Sequence, residues 1–241
     1  MSTLCPLDNI RIVLSHTSHP GNIGAAARAM KTMGLHSLYL VNPKSFPEQE
    51  ADARAANAVD VLHKTKVCED LDEALENTVQ TAAITARPRE LSPVVFDARQ
   101  GARELLQLAQ RQPVALLFGR ENSGLTTAEV NKCQIIIHIP ANPDYPSLNL
   151  ASAVQIMAYE LRMALTENTE PAAIDRKLAN FDELESLYAH LERLMTVSGF
   201  LDPQKPKLLM QRIRRMLARI RLEKEEVQIL RGILTALGKR W

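Results

Sequence analysis

The sequence predicts an α/β fold with a mostly parallel β-sheet. Five short runs of apolar and β-branched residues predict strands, at residues 10–14, 37–41, 81–85, 114–118 and 134–139. Their near-continuous apolar character is typical of strands that are buried on both faces. Segments with helical spacing lie between them, at residues 70–77, 97–110 and 126–133. This alternation of strand and helix favours a parallel sheet.

The composition supports a folded core and says little about partners. Apolar residues make up 46% of the 241 residues, which is enough to fill a core and excludes a disordered or fibrous chain. The formal net charge is only +1, from 29 Lys and Arg against 28 Asp and Glu. Any affinity for nucleic acid must therefore come from how the charges are distributed.

The cysteines and the N-terminal segment bear on the cellular compartment. Cys5, Cys68 and Cys133 lack the spacing of a disulfide framework or a zinc site, so we expect buried reduced thiols and no metal. No apolar run approaches the roughly 20 residues that span a bilayer. The N-terminus also lacks the basic and apolar regions of a signal peptide. We therefore expect a cytoplasmic protein that binds no membrane.

A change in pattern divides the chain. A long apolar helix is predicted at residues 148–165, and the polar run TENTEP that follows it is typical of a linker. Beyond this run no strand is predicted, and residues 181–197 and 207–237 have helical spacing. The predicted organisation is an α/β domain at residues 1–165 and a helical C-terminal extension at residues 166–241.

The predicted extension contains a basic segment. Residues 205–221 hold seven Lys or Arg and no acidic residue. Apolar residues at helical spacing predict an opposite apolar face, made by Leu208, Leu209, Ile213, Met216, Leu217 and Ile220. An RNA-binding surface and an ordinary solvated helix face both fit this pattern.

Three turns follow predicted strands, at the sheet edge where open α/β folds bind ligands, and the first two contain glycine. The first turn is HPGNIG at residues 19–24. Asn22 fits a helix N-cap, and Gly24 lets a backbone or a ligand approach closely. Arg28 lies one helical turn beyond Gly24 among alanines, which leave its guanidinium unobstructed. An ordinary surface arginine is the alternative interpretation.

The second turn is GRENSGLT at residues 119–126. Its glycine spacing resembles a Walker A loop, but Leu125 stands where that loop needs a lysine, which argues against a P-loop NTPase. Arg120 and Glu121 can contact a ligand or each other. Thr126 fits a helix N-cap, so a plain strand-to-helix turn is a compatible alternative.

The third turn, at residues 140–149, contains three prolines that lower the entropy cost of holding one conformation. Ser147 is expected to cap the following helix, which would place Asn149 in its first turn. Asn149 is harder to explain there, because asparagine prefers caps and turns.

Further arginines lie near the same sheet edge, and several known motifs are absent. Arg87 and Arg89 follow the third predicted strand, and together with Arg28 and Arg120 they indicate phosphate recognition. The sequence holds no Rossmann GxGxxG fingerprint, and no Ser-His-Asp arrangement can be assigned. The GxxG of the first turn follows a strand, whereas the KH motif joins two helices.

Three segments carry a family resemblance. GNIGAAARAM, LFGRENSGLT and IPANPDYPSLNLASAV resemble, in order and spacing, the motifs of the TrmH-like branch of the SPOUT superfamily of RNA methyltransferases. The resemblance implies an α/β domain with a C-terminal trefoil knot, in a homodimer. Connectivity rules alone would not predict a knot. It also implies S-adenosylmethionine as cofactor, bound by Ile84, Thr85, Ala86, Gly119, Ile139, Pro146, Ser147 and Leu148.

The implied reaction methylates a ribose 2′-hydroxyl, which needs activation and in-line alignment. Arg28 matches the family's activating arginine. We favour stabilisation of the developing alkoxide, because a guanidinium holds its proton firmly. Asn22, Glu121, Ser147 and Asn149 match the other polar catalytic positions, with Asn22 and Glu121 expected to orient Arg28. The small residues around Arg28 would leave clearance for a ribose-phosphate.

The helical extension resembles that of superfamily members that methylate tRNA, which implies cytidine or uridine at position 32 of the anticodon loop as target. Residues expected to bind RNA, in part from the partner subunit, are Arg87, Arg89, Arg120, Arg212 and Arg215. Three alternatives stay open. They are another tRNA or rRNA position, a non-catalytic RNA-binding member of the superfamily, and an enzyme acting on a small nucleotide.

Overall fold

The computed structural model describes residues 5–87, 94–167 and 177–239. In these ranges seven strands form one sheet, and every pair of neighbouring strands is parallel. The strands are β1 Ile10–Ser15, β2 Ser37–Val41, β3 Lys66–Cys68, β4 Gln80–Ile84, β5 Val94–Asp97, β6 Val114–Phe118 and β7 Ile135–His138. Their order is β3-β2-β1-β6-β4-β7-β5. The predicted α/β fold with a mostly parallel sheet is confirmed.

Helices connect the strands and form the extension. Within the described ranges they are α1 Pro20–Met33, α2 Gln49–Ala55, α3 Val59–His63, α4 Leu71–Leu75, α5 Ala98–Ala109, α6 Thr127–Asn131, α7 Leu150–Thr166, α8 Phe181–Val197, α9 Leu209–Ala218 and α10 Lys224–Gly238. Two short 3-10 turns lie at Pro6–Asn9 and Ala56–Ala58. The helix predicted at residues 207–237 is two helices. Arg221 lies between them with a φ of 49°, which a right-handed helix does not allow.

Two strands, β3 and β5, are not predicted from the sequence, and they lie at the two edges of the sheet. β3 has three residues, and its Val67 is 50% exposed. β5 has four, and its Val94 and Val95 are also exposed. A short edge strand need not be apolar on both faces, so it lacks the continuous apolar run that marked the central strands.

The sheet is buried on both faces, as its apolar strands predict. Successive residues of a strand point to opposite faces. On one face Ile12 and Leu116 pack in a core built mainly with α1, α5 and α7. On the other face Val13 and Leu117 pack in a smaller core with α4, α6 and Phe181 of α8.

The helical extension contacts the α/β part of the chain at several points, most of them on the second face of the sheet. Phe181 is 2% exposed, and its amide donates to the carbonyl of Thr78 at 2.8 Å. The Asn77 amide donates to Asp182 at 2.9 Å, and Arg221 pairs with Glu104 at 2.5 Å. The extension therefore contacts the α/β part of the chain directly through α8 and the segment before α10.

The apolar face predicted for residues 208–220 is only partly buried. Ile213 and Leu217 pack against the core of the extension, with residues of α8 and α10. Met216 and Ile220 are instead 58% and 60% exposed. The predicted apolar face is therefore covered only in part by the described chain.

The expectation of buried thiols is confirmed for Cys68 and Cys133 and is wrong for Cys5. All three are free, with Cys68 and Cys133 buried and Cys5 partly exposed. Burial raises the pKa of Cys133 to about 12, so its thiol stays protonated and unreactive at neutral pH. Among the described residues no helix is long and apolar enough to cross a membrane.

Candidate functional site

Three loops at the carboxyl edge of the sheet surround one cavity. Because β6 lies between β1 and β4, and β7 follows β4, the loops that leave β4, β6 and β7 converge. The cavity they line has a volume of about 400 Å³. This volume lies in the range of small-molecule sites. The cavity lies at the sheet edge where a ligand site is predicted. The second and third predicted turns line it, whereas the first turn, at residues 19–24, is not among the lining residues in the described part of the chain.

The cavity gathers residues from all three loops. Each of the eight residues predicted to bind the cofactor lines it, and so do Arg87, Arg120 and Glu121. Sequence reasoning missed further lining residues: Phe118, Asn122, Ser123, Gly124, Leu125, Leu150 and Ala153. Most of them are neighbours in sequence of predicted residues, so the full span of each motif was the signal that could have found them.

The loop after β6 folds tightly back on itself. The Arg120 amide donates to the Gly124 carbonyl at 3.2 Å, and the Gly124 amide donates to the Arg120 carbonyl at 2.9 Å. A Cβ atom on Gly119 would lie 2.3 Å from the Gly124 carbonyl carbon and 2.4 Å from the Leu125 nitrogen. Only glycine therefore fits at residue 119 when the loop is closed in this way.

Glu121 joins this loop to the start of α1. Its carboxylate accepts from the Ser18 amide at 3.1 Å, the Ser18 hydroxyl at 2.9 Å, the His19 amide at 3.2 Å and Asn22 Nδ2 at 3.0 Å. Burial alone would raise the pKa of Glu121, but the hydrogen bonds from Asn22 and Ser18 outweigh it and hold that pKa below its usual range. Glu121 is therefore ionised at neutral pH.

The lowered pKa of Glu121 predicts a loss of stability in acid. Its contribution is present at neutral pH, above the unfolded-state pKa, and is lost as the pH falls through the lower folded-state pKa. Between about pH 6 and about pH 3 we expect the wild-type free energy of unfolding to fall more steeply than that of Glu121→Gln. Urea unfolding at a series of pH values measures the free energy of unfolding of wild type and of Glu121→Gln. Glu192→Gln, on an exposed part of α8, is the matched control, and equal slopes for Glu121→Gln and wild type would contradict the prediction.

Asn22 and Asn149 extend the network to α7. Asn149 Nδ2 donates to Asn22 Oδ1 at 3.1 Å. Asn149 Oδ1 accepts from the amides of Ala151 and Ser152, at 2.9 and 3.3 Å, so Asn149 is the N-cap of α7. The prediction that Ser147 caps this helix is wrong, because the helix begins two residues later. Ser147 is left exposed, and it lines the cavity.

Two other cap predictions have opposite outcomes. Asn22 is not the N-cap of α1, because Pro20 occupies the first position of the helix and His19 the cap. Proline favours that position since its missing N–H would be unpaired there. Thr126 does cap α6, as predicted, and its hydroxyl accepts from the Glu129 amide at 3.2 Å.

Arg28 lies apart from the Glu121 network. Its side chain is exposed, and in the part of the chain that the structure describes it makes no hydrogen bond or ion pair. The expectation that Asn22 and Glu121 orient it is therefore wrong here. Asn22 and Arg28 are six residues apart on α1, so they lie on different faces and about 9 Å apart along the axis.

The small residues of α1 serve packing. Ala26, Ala27 and Ala29 are 0–5% exposed and belong to the main core. A Cβ atom on Gly24 would lie 2.0 Å from the carbonyl oxygen of Ala51 in α2. The expectation that these residues leave clearance for a ribose-phosphate is wrong, because they let neighbouring helices approach α1 closely.

The arginines predicted to bind RNA differ in their surroundings. Arg87 is exposed beside the cavity, and Arg212 is exposed on α9. Arg215 is partly buried, and its Nε atom has no hydrogen-bond partner among the described residues. Arg120 pairs with Glu129 at 2.9 Å. Arg89 lies outside the described residues.

Comparison with protein families matches two parts of the chain. The SpoU rRNA Methylase family matches residues 9–159, and the C-terminal domain of the tRNA methyltransferase TrmJ matches residues 182–241. The chain is 48% identical to the tRNA (cytidine/uridine/adenosine-2′-O-)-methyltransferase TrmJ of Pseudomonas aeruginosa, over 97% of this chain and 95% of that protein. It is 45% identical to the tRNA (cytidine/uridine-2′-O-)-methyltransferase TrmJ of Pectobacterium atrosepticum, over 97% of this chain and 98% of that protein.

Solved structures share the fold. The crystal structure of TrmJ from Z. mobilis ZM4 superposes with a TM-score of 0.83 at 32% identity, over 94% of this chain and 98% of that one. The SpoU methyltransferase AviRb from Streptomyces viridochromogenes, solved with AdoMet, has a TM-score of 0.54 at 19% identity, over 65% of this chain and 60% of that one. The similarity to the Z. mobilis structure thus extends over nearly the whole chain.

Proposed function

The chain belongs to the SpoU rRNA methylase family and is a tRNA 2′-O-methyltransferase, and from this premise we propose that it uses S-adenosylmethionine to methylate cytidine or uridine at position 32 of the anticodon loop. The observation that carries the proposal is the cavity between the three loops, together with the chain of hydrogen bonds from Glu121 through Asn22 to Asn149 at its side.

The cavity suits S-adenosylmethionine in size and chemistry. Its apolar lining includes Ile84, Ile139 and Leu148, which can cover the faces of an adenine ring. Backbone amides and carbonyls of the three loops can bind the polar edges of the same ligand. Without a side chain at Gly119, the backbone of the second loop borders the cavity directly. We propose that the eight lining residues predicted from the sequence hold the cofactor.

The chain's own residues have separable tasks in the proposed reaction. When bound, S-adenosylmethionine supplies an electrophilic methyl group attached to a sulfonium. Arg28 stabilises the oxyanion that develops from the ribose 2′-hydroxyl and anchors the adjoining phosphate, because its guanidinium carries an exposed charge. Glu121, Asn22 and Asn149 hold the second loop, α1 and α7 in one arrangement. Ser147 presents a hydroxyl to the cavity and can orient the reacting groups.

Recognition of tRNA is proposed to combine both parts of the chain. The α/β domain, residues 1–165, would hold the reacting nucleotide, and the extension, residues 166–241, would bind the body of the tRNA. Arg87, Arg89, Arg212 and Arg215 are the proposed phosphate contacts. Arg87 supports this role because it is exposed beside the cavity, and Arg212 because it is an exposed cation on the basic α9.

The proposal also covers the threading, assembly and location of the chain. We propose that the loops around the cavity form a trefoil knot and that the protein acts as a cytoplasmic homodimer, with some RNA contacts made by the partner subunit. Exposed apolar side chains support an interface, among them Val95 on β5, Tyr145 beside the cavity and Tyr159 on α7. Covering these side chains with a second copy would remove apolar surface from water, which favours the dimer.

Labelled S-adenosylmethionine incubated with the protein and unmodified tRNA tests the function. After nucleoside analysis, we expect label on the ribose of the nucleotide at position 32. A tRNA with a 2′-deoxyribose at that position alone should stay unlabelled, which separates the position from the activity. Label on a base, or on no RNA, would refute the proposed reaction. Label that persists on the deoxy tRNA would refute only the position.

A further inference from the structure

A shielded ion pair lies at the edge of the cavity. Arg120 Nη1 lies 2.9 Å from Oε2 and 3.2 Å from Oε1 of Glu129. The two side chains are only 24% and 10% exposed. The charge of Arg120 is thus balanced by a carboxylate, and its guanidinium is held against α6.

Glu129 has partners from two other parts of the chain. Its Oε1 accepts at 2.5 Å from the hydroxyl of Ser15, the last residue of β1. Its Oε2 accepts from the Thr126 amide at 2.6 Å, before α6. Burial would raise the pKa of Glu129, but the hydrogen bonds from Ser15 and Thr126 outweigh it, so that pKa is lowered. One ionised carboxylate therefore ties β1, α6 and the cavity loop together.

Helix capping explains only part of this arrangement. Glu129 closes a capping box with Thr126, and Glu226 closes the same kind of box with Glu223 at α10. In a capping box the N-cap side chain accepts from the N3 amide, and the N3 carboxylate itself accepts only from the N-cap amide. The bonds of Glu129 to Ser15 and Arg120 are additional, and Ser15 is 114 residues away in sequence. The carboxylate must therefore have a second role.

Arg120 and Glu121 are consecutive residues, and their side chains bind different partners. Glu129 holds Arg120, and the segment of residues 18–22 holds Glu121. Both residues line the cavity, and the Arg120 backbone pairs with Gly124 across the loop. The shape of the second loop, at residues 119–125, therefore depends on two separate anchors, and the one that Glu129 provides acts through Arg120.

We propose that Glu129 is a positioning residue for the cofactor, which holds the loop of residues 119–125 in its binding shape through Arg120, and that Arg120 consequently serves the loop and leaves RNA phosphates to other arginines. This inference rests on the proposed function, because it assumes that the cavity binds S-adenosylmethionine. It assigns Arg120 a role different from the RNA contact predicted from the sequence. Its physical basis is that a paired, shielded guanidinium adds almost no net charge for a phosphate.

A double-mutant cycle with two binding measurements tests this inference. Glu129→Gln keeps an oxygen that can accept from the Thr126 amide but removes the charge that holds Arg120. We expect Glu129→Gln and Arg120→Gln each to raise the Kd for S-adenosylmethionine, measured by calorimetry, about tenfold. The double variant should bind S-adenosylmethionine no more weakly than the weaker-binding single variant, because both substitutions break the same anchor. Glu226→Gln, in the matched capping box, should leave this Kd unchanged.

The salt dependence of tRNA binding supplies the second readout. Arg120→Gln should leave the slope of log Kd against log salt unchanged, whereas Arg212→Gln, at a proposed phosphate contact, should reduce it by about 1. An unchanged Kd for S-adenosylmethionine in both single variants, or a reduced slope for Arg120→Gln, would overturn the inference. If Glu129→Gln does not fold, the Kd for S-adenosylmethionine of Arg120→Gln tests the inference. Arg120→Lys should then recover part of the lost affinity, because it restores the positive charge beside Glu129. A wild-type protein that binds no S-adenosylmethionine would instead refute the proposed function.

Discussion

Replacement of Arg28 by alanine is expected to reduce methyl transfer about 10²- to 10³-fold, the loss typical of removing one group that stabilises an oxyanion. Affinity for S-adenosylmethionine should stay within about twofold, because Arg28 is not among the residues that line the cavity in the described part of the chain. The two effects are separable because the exposed guanidinium makes no hydrogen bond or ion pair with the described residues. Single-turnover methylation and calorimetry measure them independently.

The controls for this prediction lie at the same helix. Lys31→Ala, three residues further along α1, removes an ammonium that pairs with Asp60 at 2.7 Å. This variant should retain methyl transfer, since a surface ion pair contributes only about 0–1 kcal/mol to stability. Arg28→Lys should recover part of the activity through its charge. Equal losses of activity and of cofactor affinity in Arg28→Ala would show instead that the arginine shapes the fold.

Replacement of Gly119 by alanine is expected to abolish measurable binding of S-adenosylmethionine, with an increase in Kd above about 100-fold. The added Cβ would lie 2.3–2.4 Å from backbone atoms of Gly124 and Leu125, and backbone yields less easily than a side chain. The loop must then open where it borders the cavity. The free energy of unfolding should fall by about 1–3 kcal/mol, as for other overpacked buried sites.

Gly124→Ala is the matched control in the same loop. Gly124 has a φ of 68°, but apart from its chain neighbours no described residue has a heavy atom within 4 Å of the position of a Cβ atom, so alanine there carries only a conformational penalty of about 1–2 kcal/mol. We expect a modest loss of stability and a cofactor Kd within about fivefold of wild type. If both variants bind equally well, steric closure at Gly119 does not shape the site.

The elements best predicted from the sequence are those whose pattern is local. The central strands β2 and β6 begin and end as predicted, because burial on both faces demands continuous apolar residues. The helix α8 likewise matches its predicted bounds. The edge strands β3 and β5 carry no such pattern, since one side of each faces solvent or other chain segments.

Cap positions show how local rules compete. Thr126 caps α6 as its sequence neighbourhood predicts, because Glu129 completes the box three residues later. The cap predicted for α1, Asn22, lies three residues after the true cap, His19, and the cap predicted for α7, Ser147, lies two residues before the true cap, Asn149. Asn22 binds Glu121 and Asn149 instead of capping α1. Both side chains also join in contacts between distant segments, which helix propensity does not describe.

The sequence by itself determined the α/β class, the parallel sheet and, through the family resemblance, eight of the residues that line the cavity. Only the tertiary structure decided which side chains meet around it. The order of β1, β6 and β4 brings Glu121 to residues 18–22 and Glu129 to Ser15, over about a hundred residues of sequence. The physical reason is that periodicity and capping act within a few residues, whereas a carboxylate binds whichever donors the folded sheet places within about 3 Å.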